Sequence, residues 1–145
     1  MNKKELTLAS VPTYKAGKGA MFLLNTHLSR STEPLVNLFL EKCKKTTFEE
    51  KIRSELAVYS DACIEAFLSE DKEILTENFR KISDFQYRYF QEMIPNNTRQ
   101  IWSNGLASGD YLLKLCGAGG GGFMLGFTEN LEQLNSQDIE IIYRV

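Results

Sequence analysis

A cluster of glycines near the C-terminal end of the chain is the feature with the clearest chemical potential. The run consists of Gly117, Ala118, Gly119, Gly120, Gly121 and Gly122. Glycine loses the most backbone freedom on folding, so it is favoured where the chain needs left-handed dihedrals or where another group approaches the backbone closely. Consecutive glycine amides can also form a concave surface that binds an anion. The cluster therefore predicts a loop that contacts a phosphate, a nucleotide or another loop.

Two common phosphate-binding patterns do not fit this loop. Gly117, Gly119 and Gly122 have the spacing of a dinucleotide-binding motif, but that motif requires a helix directly after the loop. The residues that follow are Phe-Met-Leu-Gly-Phe, which favour a strand. A Walker A loop is excluded because no Gly-Lys-Ser/Thr follows the glycines. A glycine-rich hairpin that binds no ligand remains an alternative, although a hairpin turn needs only one or two glycines.

Composition limits the class of protein. The chain of 145 residues is long enough for one domain, predicted to span residues 1–145. A net charge of −2 and a pI of about 5.5 give no reason to expect a nucleic-acid partner. No stretch approaches the ~20 apolar residues of a membrane span, so no membrane partner is expected. The three cysteines lack metal-site spacing, which predicts a cytoplasmic protein with reduced thiols, and Cys116 is expected to be a packed strand residue.

Apolar periodicity predicts the secondary-structure elements. Strands are predicted over residues 5–11, 20–26, 111–116, 123–127 and 138–145, and helices over 31–45, 47–67, 70–93 and 129–134. A further short helix is predicted from Asn97 and ends near Gly105 or Gly109. Thr47 and Glu50 match a capping box at the start of the second helix. Ser69 and Asn97 are predicted to cap the helices that follow them.

The order of these elements predicts an α+β fold. From residue 20 onward it matches the βαββαβ order of a ferredoxin-like sandwich, with extra long helices inserted in the first crossover. The long aromatic-rich helices are expected to pack on one face of an antiparallel sheet.

Two segments carry a resemblance to a known family. The sequence Lys114-Leu-Cys-Gly-Ala-Gly-Gly-Gly-Gly-Phe-Met resembles the third conserved motif of the GHMP kinases, the superfamily of galactokinase, homoserine kinase, mevalonate kinase and phosphomevalonate kinase. In that family the motif lies between two strands of a ferredoxin-like C-terminal domain. The sequence Phe22-Leu-Leu-Asn-Thr-His-Leu-Ser-Arg-Ser-Thr-Glu-Pro-Leu-Val resembles a strand-to-helix segment of mevalonate kinases, and the chain is most similar to the shorter bacterial ones.

The resemblance implies a function and a set of site residues. It implies a transferase of isoprenoid biosynthesis that uses ATP and Mg²⁺ to phosphorylate a mevalonate-like alcohol. The glycine loop would then lie near the triphosphate, and valine at Gly120 would abolish activity in a folded domain. The acceptor pocket would be formed by Thr26, Arg30, Ser31 and Thr32. From the residues alone, Ser31 or Thr32 is explained equally well as a helix cap.

The family's catalytic parts have no counterpart in this sequence. GHMP kinases carry the phosphate loop Pro-x-x-x-Gly-Leu-Gly-Ser-Ser-Ala, the metal ligands and the catalytic base in an N-terminal domain, and these 145 residues contain no such loop. The resemblance therefore implies an N-terminal kinase domain as partner, no catalytic or metal-binding residue in this chain, and no activity of the chain alone. An apolar surface left by that domain would favour a homodimer. The alternative is a stand-alone ferredoxin-like module that binds a ligand or a protein without catalysis.

Overall fold

The structure is a computed structural model that describes residues 8–12, 17–29, 32–117, 119–134 and 138–145. Within these ranges the chain forms a mixed α+β domain around a four-stranded sheet whose neighbouring strands are all antiparallel. The predicted α+β class is therefore confirmed. The strands are β1 (Ala20–Asn25), β2 (Leu112–Leu115), β3 (Phe123–Thr128) and β4 (Ile139–Arg144), in the spatial order β2-β3-β1-β4.

Helical segments fill the connection between β1 and β2. In chain order they are α1 (Thr32–Cys43), α2 (Thr46–Lys51), a π-helical turn (Ile52–Leu56), α3 (Ala57–Leu68), α4 (Lys72–Tyr89), a 3-10 turn (Gln91–Met93) and α5 (Asn96–Ser108). A second 3-10 turn (Leu131–Gln133) lies between β3 and β4, where a short helix over 129–134 is predicted. Residues 8–11 of the predicted first strand lie outside regular structure, and residues 5–7 lie outside the described residues.

Both faces of the sheet are covered at β2 and β3, whereas β4 is mostly exposed. Leu112 packs with Leu75 and Phe79 of α4, whereas its neighbour Leu113 packs with Trp102 of α5. Successive strand residues point to opposite faces, so these two clusters lie on opposite sides of the sheet. The expectation that helices cover one face is therefore wrong, because β2 and β3 have apolar residues at successive positions rather than in alternation.

The two central strands pack closely at one point. Phe22 of β1 lies opposite Gly126 of β3, and a Cβ atom added at Gly126 would overlap the Phe22 ring. The missing side chain therefore leaves the space that this buried ring occupies, which is a common reason for glycine inside a strand.

The predicted capping box at Thr47 is wrong. The helix begins at Thr46, and Lys45 at the N-cap position has an extended backbone and makes no side-chain cap hydrogen bond. The Lys44 and Lys45 amides donate to the Glu41 and Lys42 carbonyls in a tight turn. This turn starts the helix before Thr47, whose side chain therefore lies within the first turn and not at its cap.

The N-cap of α4 is Asp71 and not Ser69. The Asp71 carboxylate accepts from the Ile74 amide at 3.1 Å, while the Ser69 hydroxyl donates to the Ala66 carbonyl at the end of α3 at 3.4 Å. Glu70 between them has a left-handed φ of 62°, so the chain reverses before the cap. Of the two predicted ends of α5, Gly109 is confirmed, because it has a φ of 75° and its amide donates to the Gly105 carbonyl at 2.9 Å.

We expect Asp71→Ala to lower the free energy of unfolding by about 1 kcal/mol, the usual cost of losing an N-cap acceptor. Ser69→Ala is the matched control, and it should change that free energy by less than about 0.5 kcal/mol, as surface substitutions usually do. Urea denaturation followed by circular dichroism measures both values. Equal losses in the two variants would contradict the cap assignment.

Candidate functional site: the glycine loop and the adjacent pocket

The glycine run forms the loop that joins β2 to β3. Left-handed φ values occur at Gly117 (59°), Gly119 (74°), Gly120 (81°) and Gly122 (66°). Residues with a Cβ atom adopt these dihedrals only at a cost, so the loop conformation itself requires most of the glycines. Ala118 lies outside the described residues.

Three amides of the loop are bonded inside the domain. Gly119 donates to the Cys116 carbonyl at 3.3 Å, Gly120 to the Met93 carbonyl at 2.6 Å, and Gly122 to the Leu28 carbonyl at 2.8 Å. These donors cannot bind a ligand without breaking an existing bond. The loop is thus fixed to β1's C-terminal extension and to the turn before α5, rather than presenting all of its amides outward.

The two ends of the loop remain open. A Cβ atom added at Gly117 or Gly122 would meet no atom within 4 Å. In the part of the chain that the structure describes, the amides of Gly117 and Gly121 have no hydrogen-bond acceptor. We call the surface formed by Gly117, Gly121 and Gly122 the glycine rim, and an anion that binds this loop would contact the rim.

Thr26 fastens the loop to β1. Its side chain is 1% exposed, and its amide and its hydroxyl both donate to the Gly122 carbonyl, at 2.9 and 2.8 Å. The Thr26 carbonyl accepts from the Asn97 amide group at 3.0 Å. Asn97 is therefore not the N-cap of α5, since Pro95 occupies that position. Thr26 therefore positions the loop through Gly122, one of the glycine rim residues.

The other residues of the predicted acceptor pocket are described only in part. Arg30 and Ser31 lie outside the described residues, and of Thr32 only the backbone is described, as the first residue of α1. Leu28 is bonded to Gly122, so the chain enters α1 four residues after a direct contact with the loop. Of the chain before α1, Leu28 is therefore a described residue that contacts the glycine rim.

A pocket of about 320 Å³ lies beside Gly117. It is lined by Leu35, Val36, Phe39, Leu56, Gln86, Phe90, Met93, Leu115 and Gly117. Mostly apolar walls with a few polar groups are typical of small-molecule sites, and this volume is at the lower end of their range. We call it the loop pocket.

Gln86 and Met93 are site residues that the sequence reasoning missed. Gln86 is 8% exposed, and its side-chain carbonyl accepts from the Leu115 amide at 2.8 Å. It thereby satisfies an edge-strand donor next to the loop. The sequence signal that could have indicated Gln86 is its position next to Phe85, on the apolar side of α4.

An ion pair fixes the turn that holds the loop. Lys42 of α1 donates to the Glu92 carboxylate at 2.8 Å and to the Tyr89 carbonyl at 3.0 Å. The hydrogen bond from Lys42 is the main cause of the lowered pKa of Glu92. This contact connects α1 to the 3-10 turn whose Met93 carbonyl accepts from Gly120.

Cys116 is exposed and unpaired, so its expected packing within a strand is wrong. Strand β2 ends at Leu115, because the left-handed glycine follows and the chain turns away from the sheet.

The described residues supply no metal centre. Across these ranges, no group of three or more His, Cys, Asp or Glu side chains is arranged to hold a metal ion. Among the described residues of the glycine rim, only the amides of Gly117 and Gly121 are free to bind an anion such as the polyphosphate of a nucleotide, because the Gly122 amide already donates to the Leu28 carbonyl. None of the described helices has both the length and the apolar character needed to cross a bilayer. Comparisons with protein-family models, curated proteins and solved structures found no match to this chain.

Proposed function

We propose that this chain is the C-terminal lobe of an ATP-dependent small-molecule kinase of the GHMP type, with mevalonate as the acceptor. The observation that carries the proposal is the glycine rim beside the loop pocket, a bare backbone surface next to an apolar cavity. Such an arrangement suits a polyphosphate held by main-chain amides with the remaining ligand against apolar walls. The motif resemblance supplies the reaction class.

The topology supports a ferredoxin-like assignment for the lobe. The sheet order β2-β3-β1-β4, with all neighbours antiparallel, is the order expected for that sandwich. In this assignment the helical segments between β1 and β2 would be the inserted helices of the first crossover. One feature departs from the pattern, because only the 3-10 turn Leu131–Gln133 lies in the second crossover.

In this proposal the chain positions substrates and a partner lobe performs the chemistry. Phosphoryl transfer depends chiefly on positioning and on stabilising charge. The glycine rim would contact the triphosphate, and the loop pocket would enclose the less polar part of a substrate. Magnesium ligands and the catalytic base would come from an N-terminal kinase lobe, in a complex that works in the cytoplasm.

The test is reconstitution with a lobe that carries the family's phosphate loop. We expect ATP-dependent phosphorylation of mevalonate by the co-expressed pair, and none by this chain alone. Phosphomevalonate, galactose and homoserine serve as competing acceptors. Absence of turnover with every acceptor would contradict the proposal, as would robust turnover by the chain alone.

Gly117→Asn tests the glycine rim within that complex. Asparagine tolerates left-handed dihedrals better than most residues, so the lobe should stay folded while a side chain occupies the rim. We expect kcat/KM to fall by about 10²-fold, the scale of a small misplacement of a bound substrate. The matched control is Gly109→Asn, at a left-handed glycine that caps α5 away from the loop (φ 75°). An unchanged kcat/KM in the Gly117 variant would exclude a role for the rim.

A stand-alone interaction module is the second candidate. It is favoured by edge strand β4, where Ile141 and Ile142 are 46% and 49% exposed. Exposed edges with apolar side chains promote pairing with another chain. Light scattering distinguishes the two: a dimer that persists after the kinase lobe is added favours the module, and a dimer that dissociates favours the kinase.

A further inference from the structure

A second pocket lies on the sheet face that does not contact the loop pocket. Lys114 and Leu115 are neighbours on β2, and Lys114 lines this second pocket while Leu115 lines the loop pocket. The second pocket has a volume of about 340 Å³. It is lined by Met21, Ser60, Cys63, Ile64, Phe67, Leu68, Leu75, Phe79, Ile82, Lys114 and Leu125. We call it the Lys114 pocket.

Lys114 is the one cationic side chain among these lining residues. It is half-buried, and its ammonium donates to the neighbouring Leu115 carbonyl at 2.8 Å. The ion pairs within the described ranges do not include Lys114. A charge placed against apolar groups is costly unless an opposite charge is nearby. Binding of one negatively charged group beside the Lys114 ammonium is therefore favoured.

The pKa of Cys63 reflects two features of this pocket, the burial of its wall and the charge of Lys114. Burial raises the pKa of its thiol to about 11, and the nearby Lys114 ammonium acts in the opposite direction. Cys63 is thus half-buried in the pocket wall, and the Lys114 charge lies close enough to affect its thiol. Two further lining residues, Ile64 and Leu68 of α3, are 59% and 38% exposed, so the apolar lining extends to the surface.

We propose that the Lys114 pocket binds a single-chain anionic amphiphile, a linear alkyl carboxylate whose head group pairs with the Lys114 ammonium. The alkyl chain would lie against Met21, Phe79 and Leu125. One cation matches one carboxylate, and the apolar walls match the chain. The ligand would be a free monomer, because a pocket of about 340 Å³ between α3, α4 and the sheet has room for one alkyl chain. This inference does not depend on the proposed kinase function.

The experiment is calorimetric titration of the full chain with decanoate and with decanol as the uncharged analogue. We expect decanoate to bind more tightly than decanol. Lys114→Met keeps the apolar stem and removes the charge, so it should weaken decanoate binding by at least tenfold and leave decanol unchanged. Lys44→Met, at a lysine that is 74% exposed, is the matched control and should change neither.

A second variant tests the location of the site. Ser60→Trp places a large side chain at a half-buried position of the pocket wall, and it should reduce binding of both ligands strongly. Thermal unfolding of each variant identifies any that fail to fold. The proposal is overturned if decanoate does not bind the folded wild-type chain, or if Lys114→Met leaves decanoate binding unchanged. It is also overturned if Ser60→Trp folds and binds normally.

Discussion

Gly119→Ala should lower the free energy of unfolding by about 3 kcal/mol, combining roughly 1–2 kcal/mol for a left-handed residue with roughly 1–3 kcal/mol for steric overlap. Gly119 has a φ of 74°, and an added Cβ atom would lie 2.7 Å from the Met93 carbonyl oxygen and 2.9 Å from a Leu115 methyl carbon. The Met93 carbonyl also accepts from Gly120, so it cannot move away without breaking that bond. The substitution therefore strains the contact that anchors the loop.

Gly117→Ala is the matched comparison in the same loop. Gly117 has a similar φ of 59°, but an added Cβ atom would meet nothing within 4 Å. We expect a loss of only about 1 kcal/mol, from the left-handed backbone alone. Urea denaturation of both variants measures the difference. Similar losses at the two positions would show that the Met93 contact does not restrict the loop.

This difference changes how the loop should be probed for function. The sequence suggests that valine at Gly120 would block catalysis in a folded domain. Gly120 is buried and has a φ of 81°, and a β-branched residue is a strong outlier with such dihedrals. Loss of activity in that variant would therefore also reflect loss of stability. Gly117 and Gly122 of the glycine rim offer cleaner positions, because a Cβ atom added at either would meet no atom within 4 Å.

The elements near the site could be predicted because their signals are local. The apolar residues after Gly122 indicate a strand, and β3 begins there at Phe123, so no nucleotide-binding helix follows the loop. Helix caps were harder, since several polar residues near each boundary compete for the role. Asp71 caps α4 in place of Ser69 because the intervening Glu70 adopts a left-handed turn, which neighbouring sequence does not reveal.

The long-range contacts that hold the glycine loop could not be predicted from the spacing of residues in the sequence. The loop is held by Thr26, Leu28 and Met93, and the bond from Asn97 to Thr26 joins residues 71 positions apart. Such bonds depend on how α5 packs against the sheet. Periodicity shows that a residue faces the interior but not which partner it meets there. The covering of both sheet faces at β2 and β3 was missed for the same reason.

The packing of α5 depends on Trp102, which leads to the second large effect. Trp102 is 0% exposed, and its indole N–H donates to the Ser83 carbonyl of α4 at 3.2 Å. It also packs against the sheet in the cluster that contains Leu113. The same helix carries Asn97, which holds Thr26 at the glycine loop. A core side chain in the middle of α5 thus sets the position of a loop contact at the N-terminal end of the same helix.

Trp102→Ala should lower the free energy of unfolding by about 3–5 kcal/mol, the usual cost of truncating a buried aromatic side chain. Ile101→Ala is the matched control on the same helix turn. Ile101 is 39% exposed, so its truncation should cost about 1 kcal/mol. Because Trp102 is the single tryptophan of the chain, circular dichroism and not fluorescence should follow the unfolding.

The Trp102→Ala variant also tests whether Trp102 only stabilises the core or additionally holds the glycine loop in place. If Trp102 positions α5, the hydrogen bond from Asn97 to Thr26 should weaken in Trp102→Ala. Hydrogen exchange at the Gly122 amide should then become faster under conditions where the domain remains folded. Ile101→Ala should leave that exchange rate unchanged. A Trp102 variant that loses stability without faster exchange at Gly122 would show that the loop is held independently of α5. The loop contacts made by Leu28 and Met93 would then be sufficient.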